Sequence, residues 1–118
     1  MNRVDVLKEK LAFCITSRAN LENEYTEMKK GRVYEERKRI IKGKIENLLK
    51  EIDNFGSIST NTWVLSIQHP NEVITEVKIT LLSDITSEEV ISRMKVSGVN
   101  VISIKLGMNN ISRFPRLK

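Results

Sequence analysis

The chain has one cysteine and one histidine in 118 residues. One Cys14 cannot close an internal disulfide, and one histidine with one cysteine excludes a His/Cys metal cluster. Aromatic residues make up only 5%, and Trp63, Tyr25 and Phe13 all have structural roles open to them, so a base-stacking platform for single strands is poorly supplied. No apolar run is long enough to span a bilayer. The first residues, Met1-Asn2-Arg3-Val4-Asp5, lack the charged-then-apolar layout of a secretion signal. The expectation is a protein of the cytoplasm or of a viral particle, with no membrane partner.

Catalytic patterns are equally sparse. Gly43-Lys44 has the outline of a phosphate loop, but Lys38 stands where the upstream glycine belongs and Ile45 where a hydroxyl is required, in a helical segment. The adjacent pairs Glu35-Glu36 and Glu88-Glu89 diverge on a helix and cannot converge on one substrate. His69 precedes a turn proline and is expected to face solvent. Hence no enzymatic activity, cofactor, metal or small-molecule substrate is expected.

What is present is a globular composition, 40% apolar and 30% charged in 13.6 kDa, enough for one ordinary domain or two small modules. The net charge of +5 and pI near 9.5 permit an anionic partner without requiring one. Residues Val4, Leu7, Leu11, Cys14, Leu21, Tyr25 and Met28 recur in steps of three and four, with Arg18 as the charged member, which is a heptad seam. A second series, Tyr34, Lys38, Ile41, Ile45, Leu48, Ile52 and Phe55, is out of phase with the first. The chain is therefore expected to turn at Gly31, taking a left-handed conformation there, and to form an antiparallel, coiled-coil-like helical hairpin over residues 1–56. Its helices span about 3–28 and 33–54. Pairing Met28 with Tyr34 sets Leu21 near Ile41, Arg18 near Ile45, Cys14 near Leu48 and Leu7 near Phe55, with Lys38 over Tyr25 and within reach of Glu24.

Residues 57–61 are small and polar and read as a linker. After them the period falls to two. Trp63, Leu65 and Ile67 alternate with polar residues, His69-Pro70-Asn71-Glu72 has turn chemistry, and Val73 to Leu82 resumes the alternation, which together predict a β-hairpin. Thr86 three residues before Glu89 is a capping box, with Ile85 and Val90 as its hydrophobic staple. Gly98 is the C-terminal cap, and Val99 to Leu106 is a third strand with Ile102, Ile104 and Leu106 on one face. The fold class is α+β: a helical hairpin, a ββαβ module over 62–106, whose last two strands would be joined by a right-handed crossover if they are parallel neighbours, and an extended basic tail over 107–118.

Two functions are consistent with this layout. The hairpin carries more apolar surface than a two-helix seam needs. Ala12, Ile15 and Ala19 widen the stripe, and Val6, Phe13, Val33 and Ile40 occupy matching outward heptad positions, so a second contact is implied, with the following module, with another chain, or with each on different parts of the hairpin. With the tail residues Arg113, Phe114, Arg116 and Leu117 as anchors, these residues predict a structural or assembly protein, a subunit of a homo-oligomer or a larger complex such as a viral particle. The alternative is a basic accessory protein that touches nucleic-acid phosphates through Arg37, Arg39, Lys42, Lys44 and the tail arginines.

Overall fold

The computed structural model describes residues 2–25 and 31–111, with side-chain positions through Gly107. The fold is α+β: two helices, then a three-stranded antiparallel sheet interrupted by a third helix. Helix α1 spans Arg3–Glu24 and α2 spans Arg32–Asp53. Asn2 starts α1 with its side chain accepting the Asp5 N–H at 2.9 Å. The helices run antiparallel: Arg3 reaches Glu51 across one end (3.0 Å) and Glu24 pairs with Arg37 near the other.

The expected turn differs in detail. Gly31 is the N-cap of α2 in an extended conformation, φ −131°. Glycine is tolerated there because an N-cap residue is not yet helical. Met28 lies outside the described residues. Glu24 is taken by Arg37 instead of Lys38, and Lys38 lies 5.9 Å from the Tyr34 ring and 3.6 Å from Glu35. Phe55 is 60% exposed, because it follows the helix end and is not carried on the seam.

Strand β1 spans Ser59–Gln68, β2 Ile74–Leu82 and β3 Asn100–Ile111, with α3 over Ser87–Val96. Strand β1 thus begins inside the segment expected to be a linker. As the central strand of the order β2-β1-β3 it is paired on both sides from Thr60 onward, and Thr60 is fully buried. Strand β3 likewise takes in residues 107–111, expected as tail. Strands β2 and β3 flank β1 and are not neighbours, so α3 links two strands across the central one.

Two irregularities in the β1–β3 ladder explain the rest. The register shifts between Ser66 and Ile67, so Val101 pairs with Ile67 and joins Ile104 against the core, while Ile102 is left exposed. A second shift bypasses Gly107, and the strand continues to Ile111.

Helix α3 follows its sequence signals. The Thr86 hydroxyl accepts the Glu89 N–H (3.2 Å), and Ile85 and Val90 are buried. Gly98 takes φ 90°, with Gly98 N–H donating to Lys95 and Val99 N–H to Met94, a Schellman closure. Glu89 does not close the box; its carboxylate accepts from Arg93 Nε at 3.1 Å.

All elements share one core. Leu7, Leu11, Cys14, Ile15 and Ala19 of α1 and Ile45, Leu49 and Ile52 of α2 are buried with Leu65, Ile67, Val77, Ile79 and Leu81 of the sheet and with Val90 and Met94 of α3. Among the described residues no helix is long and apolar enough to cross a membrane.

Two glycines give opposite predictions. A Cβ on Gly107 would lie 2.8 Å from Val64 Cγ2 and 3.3 Å from the Thr62 carbonyl, so Gly107→Ala destabilises by about 1–3 kcal/mol. Gly43, within α2, has no such neighbour within 4 Å, and Gly43→Ala stabilises by about 1 kcal/mol. Urea titration of both variants checks the two signs.

Candidate functional site

Three places on the molecule concentrate chemistry: a buried polar cluster, a cleft beside β2, and the outward side of the hairpin. The cluster forms where both helices meet the β1–β2 turn. Arg18 and Glu22 lie one helical turn apart on α1, and the carboxylate is 1% exposed. Arg18 Nη1 donates to Glu22 Oε2 at 2.5 Å, and Nη2 donates to the Tyr34 hydroxyl at 3.4 Å. That hydroxyl in turn donates to Glu22 Oε2. His69 Nε2 lies 3.0 Å from Thr75 Oγ1 and 3.6 Å from Glu22 Oε1. Tyr25 packs edge-on to Tyr34, with ring centroids 5.4 Å apart.

The turn sets the histidine. His69 N–H donates to Val73 and its carbonyl accepts from Glu72, which takes a left-handed φ of 70°. His69 is therefore buried, not solvent-facing as its neighbouring proline suggested. Burial and the bond to Glu22 push the Tyr34 hydroxyl up to about 12. In a low-dielectric setting a charged group left alone is costly, and here each is met by another. The arrangement ties α1, α2 and the β-hairpin together at one point.

The cleft, of about 580 Å³, lies between α2 and edge strand β2. Ile41, Ile45, Leu49 and Ile79 line it with Lys42 and Lys78, and Arg18 borders it, but not Glu22, Tyr34 or His69. Its other cations, Arg18 and Lys38, already have carboxylates, and Glu46 and Glu76 balance Lys42 and Lys78. It favours neither sign.

On the outward side, a groove of about 520 Å³ runs between α1 and α2, lined by Phe13, Cys14 and Leu48. Phe13, Val33 and Ile40 are 61%, 62% and 54% exposed, and Val6 is half-buried. Asn47 also lines the groove, and Val33, Ile40 and Asn47 follow one another at heptad spacing on α2, so Phe13 and the α2 pair look out from the same side. Cys14 is buried beneath; burial raises its thiol pKa, with Lys44 partly opposing. The tail residues Arg113, Phe114, Arg116 and Leu117 lie outside the described residues.

Among the described residues, the basic side chains of α2 do not gather on one side. Arg37 is bound to the Glu24 carboxylate, which it holds below its ordinary pKa, and lies 5.9 Å from the Tyr25 ring centroid. Arg39 is exposed, Lys42 lines the cleft and Lys44 lines the outward groove. Comparison of the chain with protein-family models, curated proteins and solved structures gives no match.

Sequence reasoning missed Glu22 and His69. The available signal was the pairing of Arg18, inside the seam, with a carboxylate four residues on.

Removing one member of the cluster leaves the others buried and unmatched. Glu22→Leu is expected to cost about 3–5 kcal/mol, and Arg18→Met combined with Glu22→Leu less than the sum of the two single changes, measured by urea denaturation. Because the folded Tyr34 keeps its proton beyond the unfolded value of 10.0, its contribution is complete below pH 10 and is lost as pH rises to about 12, by on the order of 2 kcal/mol. Tyr34→Phe removes that slope from an alkaline stability titration.

Proposed function

We propose that this chain is a non-enzymatic assembly protein, a small subunit that packs against another protein through the outward side of its helical hairpin. The observation that carries the reading is the exposure of Phe13, Val33 and Ile40 on helices whose other flanks are already buried in the core. Neither the α1–α2 seam nor the sheet uses these side chains. Large apolar side chains exposed along one side of a helix pair, among charges, are characteristic of protein–protein contact. Among the described residues, the other exposed large apolar side chains, Phe55, Val73, Ile74, Val96, Ile102 and Leu106, sit on other elements or at their ends.

The nucleic-acid alternative has less support, since Arg37 is committed to Glu24 and Lys42 and Lys44 line different grooves.

Phe13→Glu together with Ile40→Glu should abolish association while shifting stability by no more than about 0.5 kcal/mol, as for surface positions. Sedimentation velocity at low micromolar concentration, alone and with any co-purifying subunit, measures the first, and thermal unfolding the second. Association unaffected by the two charges would contradict the proposal.

A further inference from the structure

We infer that the partner on the outward face is a second copy of this chain, packed hairpin to hairpin about a two-fold axis. The inference rests on the proposed assembly role and names its partner. Two features favour a copy. The first is the charge around the apolar groove. Glu9 and Lys10 come from α1 and Lys44 and Glu51 from α2, so the rim carries both signs on both helices. Glu51 also holds Arg3 in an exposed pair at 3.0 Å. A surface with one dominant sign would repel itself, whereas a mixed rim can meet its own image, each carboxylate finding a cation across the axis, as an isologous interface requires.

The second feature is size. Each helix has 22 residues, about 33 Å at the helical rise, and two helices side by side are about 20 Å wide. A face of these dimensions covers roughly 660 Å², close to the ~800 Å² per partner of a standard stable interface. Phe13 and Ile40 supply apolar side chains toward its middle and Val33 one at its end, and the mixed charges its edge.

A charge-swap experiment separates a copy from any other partner. One variant, Lys10→Glu with Lys44→Glu, makes the rim acidic; a second, Glu9→Lys with Glu51→Lys, makes it basic. Loss of the exposed Arg3–Glu51 pair has little effect on folding, and circular dichroism checks that both variants are folded. Each variant alone should sediment as a monomer, its self-association weakened by at least about tenfold. An equimolar mixture should recover the dimer, and recovery falls away at high salt. A wild-type chain that is monomeric at 100 µM overturns the inference while leaving assembly with a different subunit intact. A dimer that survives both charge variants yet is broken by Phe13→Glu with Ile40→Glu overturns the matched rim but not the apolar face. Failure of the mixture to associate also overturns it.

Discussion

A three-stranded sheet with an apolar face cannot stand in water by itself, and covering that face is the constraint on which the rest of the structure depends. Leu65, Ile67, Val77, Ile79 and Leu81 are all buried, which requires a broad apolar lid. The helices supply it together: α2 seats against β2, and α1, apolar on two flanks, bridges α2 and α3. Leu7, Leu11, Cys14 and Leu21 form the seam toward α2, while Ala12, Ile15 and Ala19 add a second buried flank. Ala12 lies beside Ile85, Glu89 and Arg93 at α3, and the hairpin, the sheet and α3 share one core, so they are not two modules on a tether. Helix α3 closes the far side, its Asn23 contact from α1 to the Ser97 carbonyl marking where the two helices meet.

The polar cluster occupies the end of this interface. A buried Arg18–Glu22 pair adds little net stability over an apolar pair of the same volume, because desolvation offsets the attraction. Its effect is on uniqueness. Glu22 Oε2 takes donors from Arg18 and Tyr34, and Oε1 faces His69, so sliding either helix by one residue, or shifting the β1–β2 register, would leave a charge unmatched in the interior. The hydrophobic surfaces define which elements pack together, and the carboxylate defines how far along they do so. The strained Glu72 in the turn is held where it sets the His69 backbone, a cost that the hydrogen bonds on either side of it offset.

Much of this was legible in periodicity. The steps of three and four gave two helices and their antiparallel sense, the change to period two gave the strands, and Thr86, Glu89 and Gly98 marked the ends of α3. The surplus on Ala12, Ile15 and Ala19 correctly called for a second contact. The β3 register was not legible, because a bulge moves each later side chain to the other face without changing composition, which is how Ile102 and Val101 exchanged places. Nor was the start of β1: Ser59, Thr60 and Asn61 have linker chemistry, and only a central position with a partner on each side makes them a strand. His69 was misread because a residue beside a turn is exposed only if nothing packs over the turn, and here the hairpin helices do.

The same packing explains why positive charge on α2 is divided. Seating α2 on the edge of the sheet turns Lys42 toward the cleft and Lys44 toward the outward groove, while Arg37 is drawn to α1 by Glu24. A phosphate backbone laid along one side of the helix would meet one or two of these cations, not the whole run that the sequence displays, and binding would depend only weakly on salt. Clustered cations in a helical sequence therefore describe a surface only after the packed flank is known. With that flank assigned to the sheet, Val33 and Ile40 remain exposed at heptad spacing on the outward side of α2, while the cations of the same helix are divided between two grooves.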